Sequence, residues 1–178
     1  GASNFTGYAH GFSFDAAAMG VTFGRYVNST GEEHFPAQIT ATFSHANSGP
    51  RVGPVVINEI HYHPAPDEQE FVELLCVAEV SVPLFDPAAP TNTWRLNGLA
   101  FTFPTNIVLD PGALLLLVPT NPPDFRAKYS VPESVVILGP FSGALQNSGE
   151  RLKLERPTPA DTNNPAWIVV DEVRYNDK

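Results

Sequence analysis

The stretch VVINEIHYHP (residues 55–64), followed after a polar break by EFVELLCV (residues 70–77), decides how this chain is read. Both runs are rich in β-branched and aromatic residues, which suit a pleated, half-buried surface. Between them, HPAPDEQ (residues 63–69) carries two prolines and an aspartate. Proline cannot donate to a ladder and aspartate favours turns, so the two runs read as antiparallel strands joined by a turn. If Tyr62 pairs near Glu70, alternation puts Val56, Ile60, Tyr62, Val72, Leu74 and Cys76 on one face, the core face. Glu59, His61 and Glu73 then share the other face, with Glu59 roughly opposite Glu73.

Working outward, the same grammar recurs. Residues 80–84, 94–103 (WRLNGLAFTF), 135–139 (VVILG), 150–155 (ERLKLE) and 167–175 (WIVVDEVRY) are strand-like, and FDPAAPTNT (residues 85–93) reads as a Pro-rich loop. Asn97–Gly98 is the strongest short hairpin signal. ALLLLV (residues 113–118), following the turn DPG, reads as a fully buried central strand. One helical candidate stands out, PPDFRAKYS (residues 122–130), with Asp124 placed to cap it and Pro132 to stop it. Short strands spaced by turns predict an all-β sandwich with mostly antiparallel connections. Its expected core includes Val56, Ile60, Val72, Leu74, Leu115, Leu117 and Val169.

Residues 1–54 differ. Strand character is limited to GVTFGRYV (residues 20–27) and QITATF (residues 38–43), and HANSGPRVGP (residues 45–54) reads as a linker. The expected organisation is an extended N-terminal arm and linker over 1–54 and one domain over 55–178.

Composition bounds the function. Net charge is −9, and ten Lys and Arg are scattered without forming a basic face. Binding the phosphate backbone requires such a face, so nucleic acid is not an expected partner. The one cysteine, Cys76, forms no internal disulfide and lies in an apolar strand, where it reads as a small buried hydrophobe. No apolar run reaches the ~20 residues of a membrane-spanning helix. No secretory signal is legible, and the opening GASNFTG reads as a boundary inside a longer protein.

In order, VVINEIHYHP, EFVEL, NTWRLNGLAFTFP, LDPGALLLLV, FRAKY, GPFSGALQNSGERLKLERP and VVDEVRY resemble the bacterial lamin-tail domain family, over about two thirds of the chain. The resemblance implies an immunoglobulin-like β-sandwich serving as an accessory module of a larger secreted or cell-envelope protein. It brings no catalytic residues. Family domains continue into a further strand of the form Gly-x-Ser-Leu-x-Arg, and GVTFGRY (residues 20–26) with FSHANSG (residues 43–49) resembles that end. The arm therefore resembles the remnant of a preceding repeat. Residues 20–27 are expected to serve as a substitute terminal strand for the sandwich, within one chain or exchanged in a strand-swapped dimer.

Candidate chemistry is sparse. Glu59 and Glu73, carboxylates facing each other across a ladder, repel unless compensated, and a divalent cation or charged His61 would compensate them, with His63 nearby. The competing reading is a solvated polar face. Asp67, Glu68 and Glu70 lack calcium-loop spacing and read as a solvated turn. No Gly-x-Ser-x-Gly is present, and His10, His34 and His45 lie in the irregular arm. Trp94 and Trp167 are the residue type that stacks on sugars, yet a Trp beside a strand is more often core. Asn4-Phe5-Thr6 and Asn28-Ser29-Thr30 fit the glycosylation sequon. The expected function is a non-catalytic interaction, adhesion or targeting module with a protein or surface-polysaccharide ligand and no obligate cofactor. The alternative is a carbohydrate- or calcium-binding module that targets an attached enzyme.

Overall fold

The computed structural model describes residues 11, 12, 14–158 and 166–176. The chain is mostly β-strand in several sheets with one short helix, and it divides into two compact units, residues 1–51 and 52–178. No helix among the described residues is long and apolar enough to cross a membrane.

In the smaller unit, β1 (Tyr26–Val27) pairs antiparallel with β2 (Glu33–His34). Phe23 bridges Ala37, and Gln38 bridges Pro50. The buried Gln38 amide organises these loops: its Nε2 donates to the carbonyls of Gly24 and Pro36, and its Oε1 accepts from the Gly49 N–H. A Cβ on Gly24 would sit 2.6 Å from that side chain, so only glycine permits the approach. Residues 20–27 were expected as a terminal strand for the sandwich; instead they pair inside this unit. The cause is local. Asn28 Oδ1 accepts from the N–H groups of Thr30 and Glu32, folding the chain back so that the nearest strand is only a short loop away.

The larger unit contains β3 (Val55–His61), β4 (Phe71–Cys76), β5 (Val82–Pro83), β6 (Phe85–Asp86), β7 (Ala89–Thr93), β8 (Arg95–Asn97), β9 (Phe101–Thr102), β10 (Val108–Leu109), β11 (Leu114–Leu117), α1 (Pro122–Tyr129), β12 (Val136–Leu138), β13 (Gly149–Pro157) and β14 (Trp167–Asn176). One four-stranded sheet runs β12-β11-β4-β3 and the other β14-β13-β8-β9; β5 with β10 and β6 with β7 form two-stranded ribbons. All pairings are antiparallel except β11 with β12, which α1 connects as a crossover. The stretch read as a Pro-rich loop is thus the β6–β7 ribbon, with Pro90 tolerated because β7 pairs only with β6. Asp124 lies within the first turn of α1, where its charge favours the helix dipole, and Asn121 holds the N-cap position.

Side chains from both four-stranded sheets meet in one apolar cluster. Val72, Leu74, Leu115 and Leu117 are fully buried there, as the alternation predicts, and Ile60 packs against it. Val56 and Val169 do not take the expected core places. Two β-bulges are the reason. The β3–β4 register slips between Ile57 and Glu59, so Val55 and Ile57 face the core before the extra residue and Ile60 after it. The β13–β14 register slips between Leu154 and Glu155, leaving Val170 as the extra residue, and Ile168 and Val170 pack inward in place of Val169. A bulge inserts one residue and reverses every later side chain.

The two bulged strands are joined to each other. The Asp171 carboxylate accepts a 2.7 Å hydrogen bond from the Ile57 N–H. Beside it, a Cβ on Gly53 would lie 2.4 Å from the Val170 carbonyl oxygen, so the chain entering β3 touches β14 backbone. Hydrogen bonds to charged groups contribute about 1.5–3 kcal/mol. Asp171→Ala is expected to lose roughly that much in urea unfolding, and Asp171→Asn, which keeps an acceptor oxygen, less. An Asp171→Ala midpoint equal to that of the parent chain would show that the contact contributes nothing.

Candidate functional site

Outward alternation of β4 and β11 sets Phe71, Glu73, Leu114 and Leu116 on the face away from the main core. The register brings Glu59, Glu73, Leu116 and Ile137 into one row across four strands. Over part of this face lies α1. Its buried Phe125 packs with Leu116, Val118 and Ile137, and Phe71 and Val131 close the cluster. The rings of Phe71 and Phe125 meet edge to face at 6.4 Å, and Tyr129, one turn along the helix, packs on Phe125 at 4.5 Å.

The loop after α1 forms the facing wall, and Arg126 holds it. Its guanidinium donates to the carbonyls of Val131, Pro132 and Val135. Ser130, in the left-handed conformation at φ 53°, caps the helix and turns the chain into this loop. The result is a shallow concavity of about 400 Å³ with apolar walls, including Leu114, Leu116, Tyr129 and Val135, and with Glu59 and Glu73 among its lining residues.

The predicted juxtaposition of Glu59 and Glu73 is present: they are direct cross-strand partners beyond the bulge. His61, expected to complete a metal site with them, is opposite Phe71 instead. Its ring packs edge-on against Phe71 at 5.3 Å, and its Nε2 lies 3.8 Å from Glu68. Glu73 accepts from the Asn58 amide at 2.7 Å, while the Glu59 carboxylate has no hydrogen-bond or ion-pair partner among the described residues. Among the described residues no three His, Cys, Asp or Glu side chains converge as metal ligands. The acidic turn is tied locally: Glu68 accepts from the Ala65 N–H, and Lys128 donates to the Asp67 carbonyl.

The two tryptophans are occupied. Trp94 is buried in the core, and the Arg95 guanidinium lies 3.9 Å over the Trp167 ring while its Nε donates to buried Glu155. Of the arm histidines, His34 lies 3.8 Å from Glu32. In the second sequon the Asn28 side chain is engaged with Thr30 and Glu32. His10 and the Asn4 sequon are outside the described residues.

A larger concavity, about 530 Å³, lies at the ends of β13 and β14 and includes Glu150, Arg151, Arg174 and Tyr175. Its polar groups close the strand ends. Glu150 accepts from the Tyr175 hydroxyl at 2.8 Å and from the Gln146 N–H at 3.0 Å, and Tyr62 stacks on Tyr175 at 4.6 Å. Burial, and then the hydrogen bond to the Glu150 carboxylate, push the Tyr175 phenol above its ordinary range. We therefore take the smaller, apolar concavity as the candidate site. The sequence signal for it was the pair Glu59 and Glu73; its walls came from a loop that reads as plain connection.

A scan against protein-family models finds no match, and a search of curated proteins finds none either.

Two outcomes follow from these contacts. Glu59→Gln removes a like charge directly opposite Glu73 and is expected to stabilise the fold by a few tenths of a kcal/mol, on the order of 0.2–1. The gain should shrink in high salt, as screening predicts; a melting temperature that falls in low salt would refute the repulsion. Tyr175 is expected to make stability alkali-sensitive. Its phenol holds its proton more tightly when folded than when unfolded, so its contribution is complete below the unfolded value, about 10, and is lost as pH rises above it toward the folded one. Unfolding free energy of the parent chain should therefore drop above pH ~10 more steeply than that of Tyr175→Phe. Parallel pH profiles would contradict the assignment.

Proposed function

We propose that residues 52–178 are an immunoglobulin-like β-sandwich of the lamin-tail type, acting as a non-catalytic interaction module of a larger secreted or cell-envelope protein. The order of the matching segments supports the family reading, as do two four-stranded sheets sharing one apolar core. We read residues 1–51 as the remnant of a preceding repeat, on the strength of GVTFGRY and FSHANSG. One observation carries the functional reading: an apolar concavity with a carboxylate pair on the outer face of the β12-β11-β4-β3 sheet. A soluble domain gains nothing in stability from an uncovered apolar hollow, and such surfaces mark binding sites. Protein is favoured over carbohydrate as ligand because neither tryptophan lines the concavity: Trp94 is buried in the core, and Trp167 is engaged by Arg95.

The test sets peptides against glycans. The 178-residue chain is applied to a random-peptide array and a glycan array, each with calcium and with chelator, beside a double variant, Leu114→Ser with Tyr129→Ser. Retention on peptide spots is expected, with a loss of roughly tenfold or more in the variant, equivalent to about 1.4 kcal/mol. Melting curves check that the variant is folded. Glycan retention untouched by the variant, or retention on neither array, would overturn the proposal.

A further inference from the structure

The concavity is chemically asymmetric, and the asymmetry specifies what fills it. Leu114, Leu116 and Tyr129 offer contact for an apolar stem, while Glu59 and Glu73 supply two negative charges. These carboxylates are direct partners on adjacent strands, at a spacing where like charges cost stability. Glu59 has no internal cation or donor among the described residues, and Glu73 is engaged only by the neutral Asn58 amide. The nearby cations are committed elsewhere. Arg126 is spent on loop carbonyls, with Glu133 at 3.7 Å, and Lys128 reaches the Asp67 carbonyl and the Tyr129 ring. His61 is turned toward Glu68 and Phe71.

We infer that this concavity receives an arginine side chain from an extended segment of a protein partner, the guanidinium between Glu59 and Glu73 and the aliphatic stem against the apolar wall. This rests on the interaction-module reading above. A bare metal ion is the poorer occupant, because among the described residues no third His, Cys, Asp or Glu joins the two carboxylates and the remaining walls are apolar. A planar guanidinium offers a fork of donors wide enough for two carboxylates, is more weakly hydrated than ammonium, and packs on aromatic faces. Arginine is thus preferred to lysine. The net charge of −9 adds long-range attraction for a basic segment. The chain has its own basic pair, Arg151 opposite Arg174 on β13 and β14. Its surroundings, Lys153 and Glu172, are polar and cannot fill an apolar hollow, so a second copy is the poorer occupant.

The probe is the peptide acetyl-Ala-Leu-Arg-Leu-Ala-amide, titrated into the full chain and followed by amide chemical shifts in NMR. Saturable shifts are expected at residues 59, 73, 114, 116, 129–131 and 133–135. Affinity should fall roughly tenfold or more when the peptide arginine is replaced by glutamine, less when it is replaced by lysine, and steeply with salt. Glu59→Gln should weaken binding of the arginine peptide and leave the glutamine peptide unchanged; the Glu59 carboxylate has no hydrogen bond to lose among the described residues, so folding is not at stake. Glu73→Gln serves as the second variant. Equal affinity for the arginine and glutamine peptides, or shifts outside the concavity, would overturn the arginine assignment while leaving the module reading intact. Concentration-dependent self-association that shifts the same residues and is abolished by Arg151→Glu with Arg174→Glu would overturn it in favour of a second copy. No shifts with any peptide, together with empty peptide arrays, would bring down both readings.

Discussion

The hydrogen bond from the Ile57 N–H to Asp171 is the contact on which the geometry of the larger unit turns. It joins the edge strands of the two four-stranded sheets at the point where each strand is bulged. A bulge leaves backbone groups outside the regular ladder, and a buried N–H without an acceptor is costly. Asp171 supplies the acceptor from the opposite sheet. Gly53 lets the two backbones approach closely enough for this to happen. One local irregularity in each sheet is thereby turned into a link between them.

That link has consequences far from itself. The β3 bulge sets the phase of everything after residue 58, turning Ile60 inward and Glu59 outward to face Glu73. Without the extra residue, the alternation begun by Val55 and Ile57 would send Glu59 into the apolar core. Burying an unpaired carboxylate there would cost far more than the bulge does. The bulge thereby lets Val55 and Ile57 stay in the core while the hairpin register keeps Glu59 facing Glu73 on the outer side.

The apolar end has a separate origin. A parallel pairing of β11 with β12 demands a crossover, and α1 provides it. The helix is weakly amphipathic and buries one residue, Phe125, so it covers the sheet face only in part. Arg126 then fixes the path of the following loop by binding three of its carbonyls. A cover held by a polar clamp leaves the hollow standing open. The clamp also explains why Arg126 does not itself neutralise Glu59 and Glu73.

What the sequence determined by itself was the set of strands and much of their local pairing. Period-two alternation marked Val72, Leu74, Leu115 and Leu117, and the turn between residues 61 and 71 fixed the register that sets Glu59 against Glu73. These are short-range properties: a strand's face and a hairpin's register follow from neighbouring residues. Tertiary structure decided the rest. Val56 yielded its core place to Val55 and Ile57, and Val169 to Ile168 and Val170, because each bulge is stabilised by a partner that alternation cannot see. Asp171 is 114 residues from the N–H it accepts. The arm segment resembling a missing strand found a partner a few residues away, where loop closure costs least. The hollow, too, needed the helix and its clamped loop laid over the sheet. Sequence placed the two carboxylates, and only packing gave them an apolar wall.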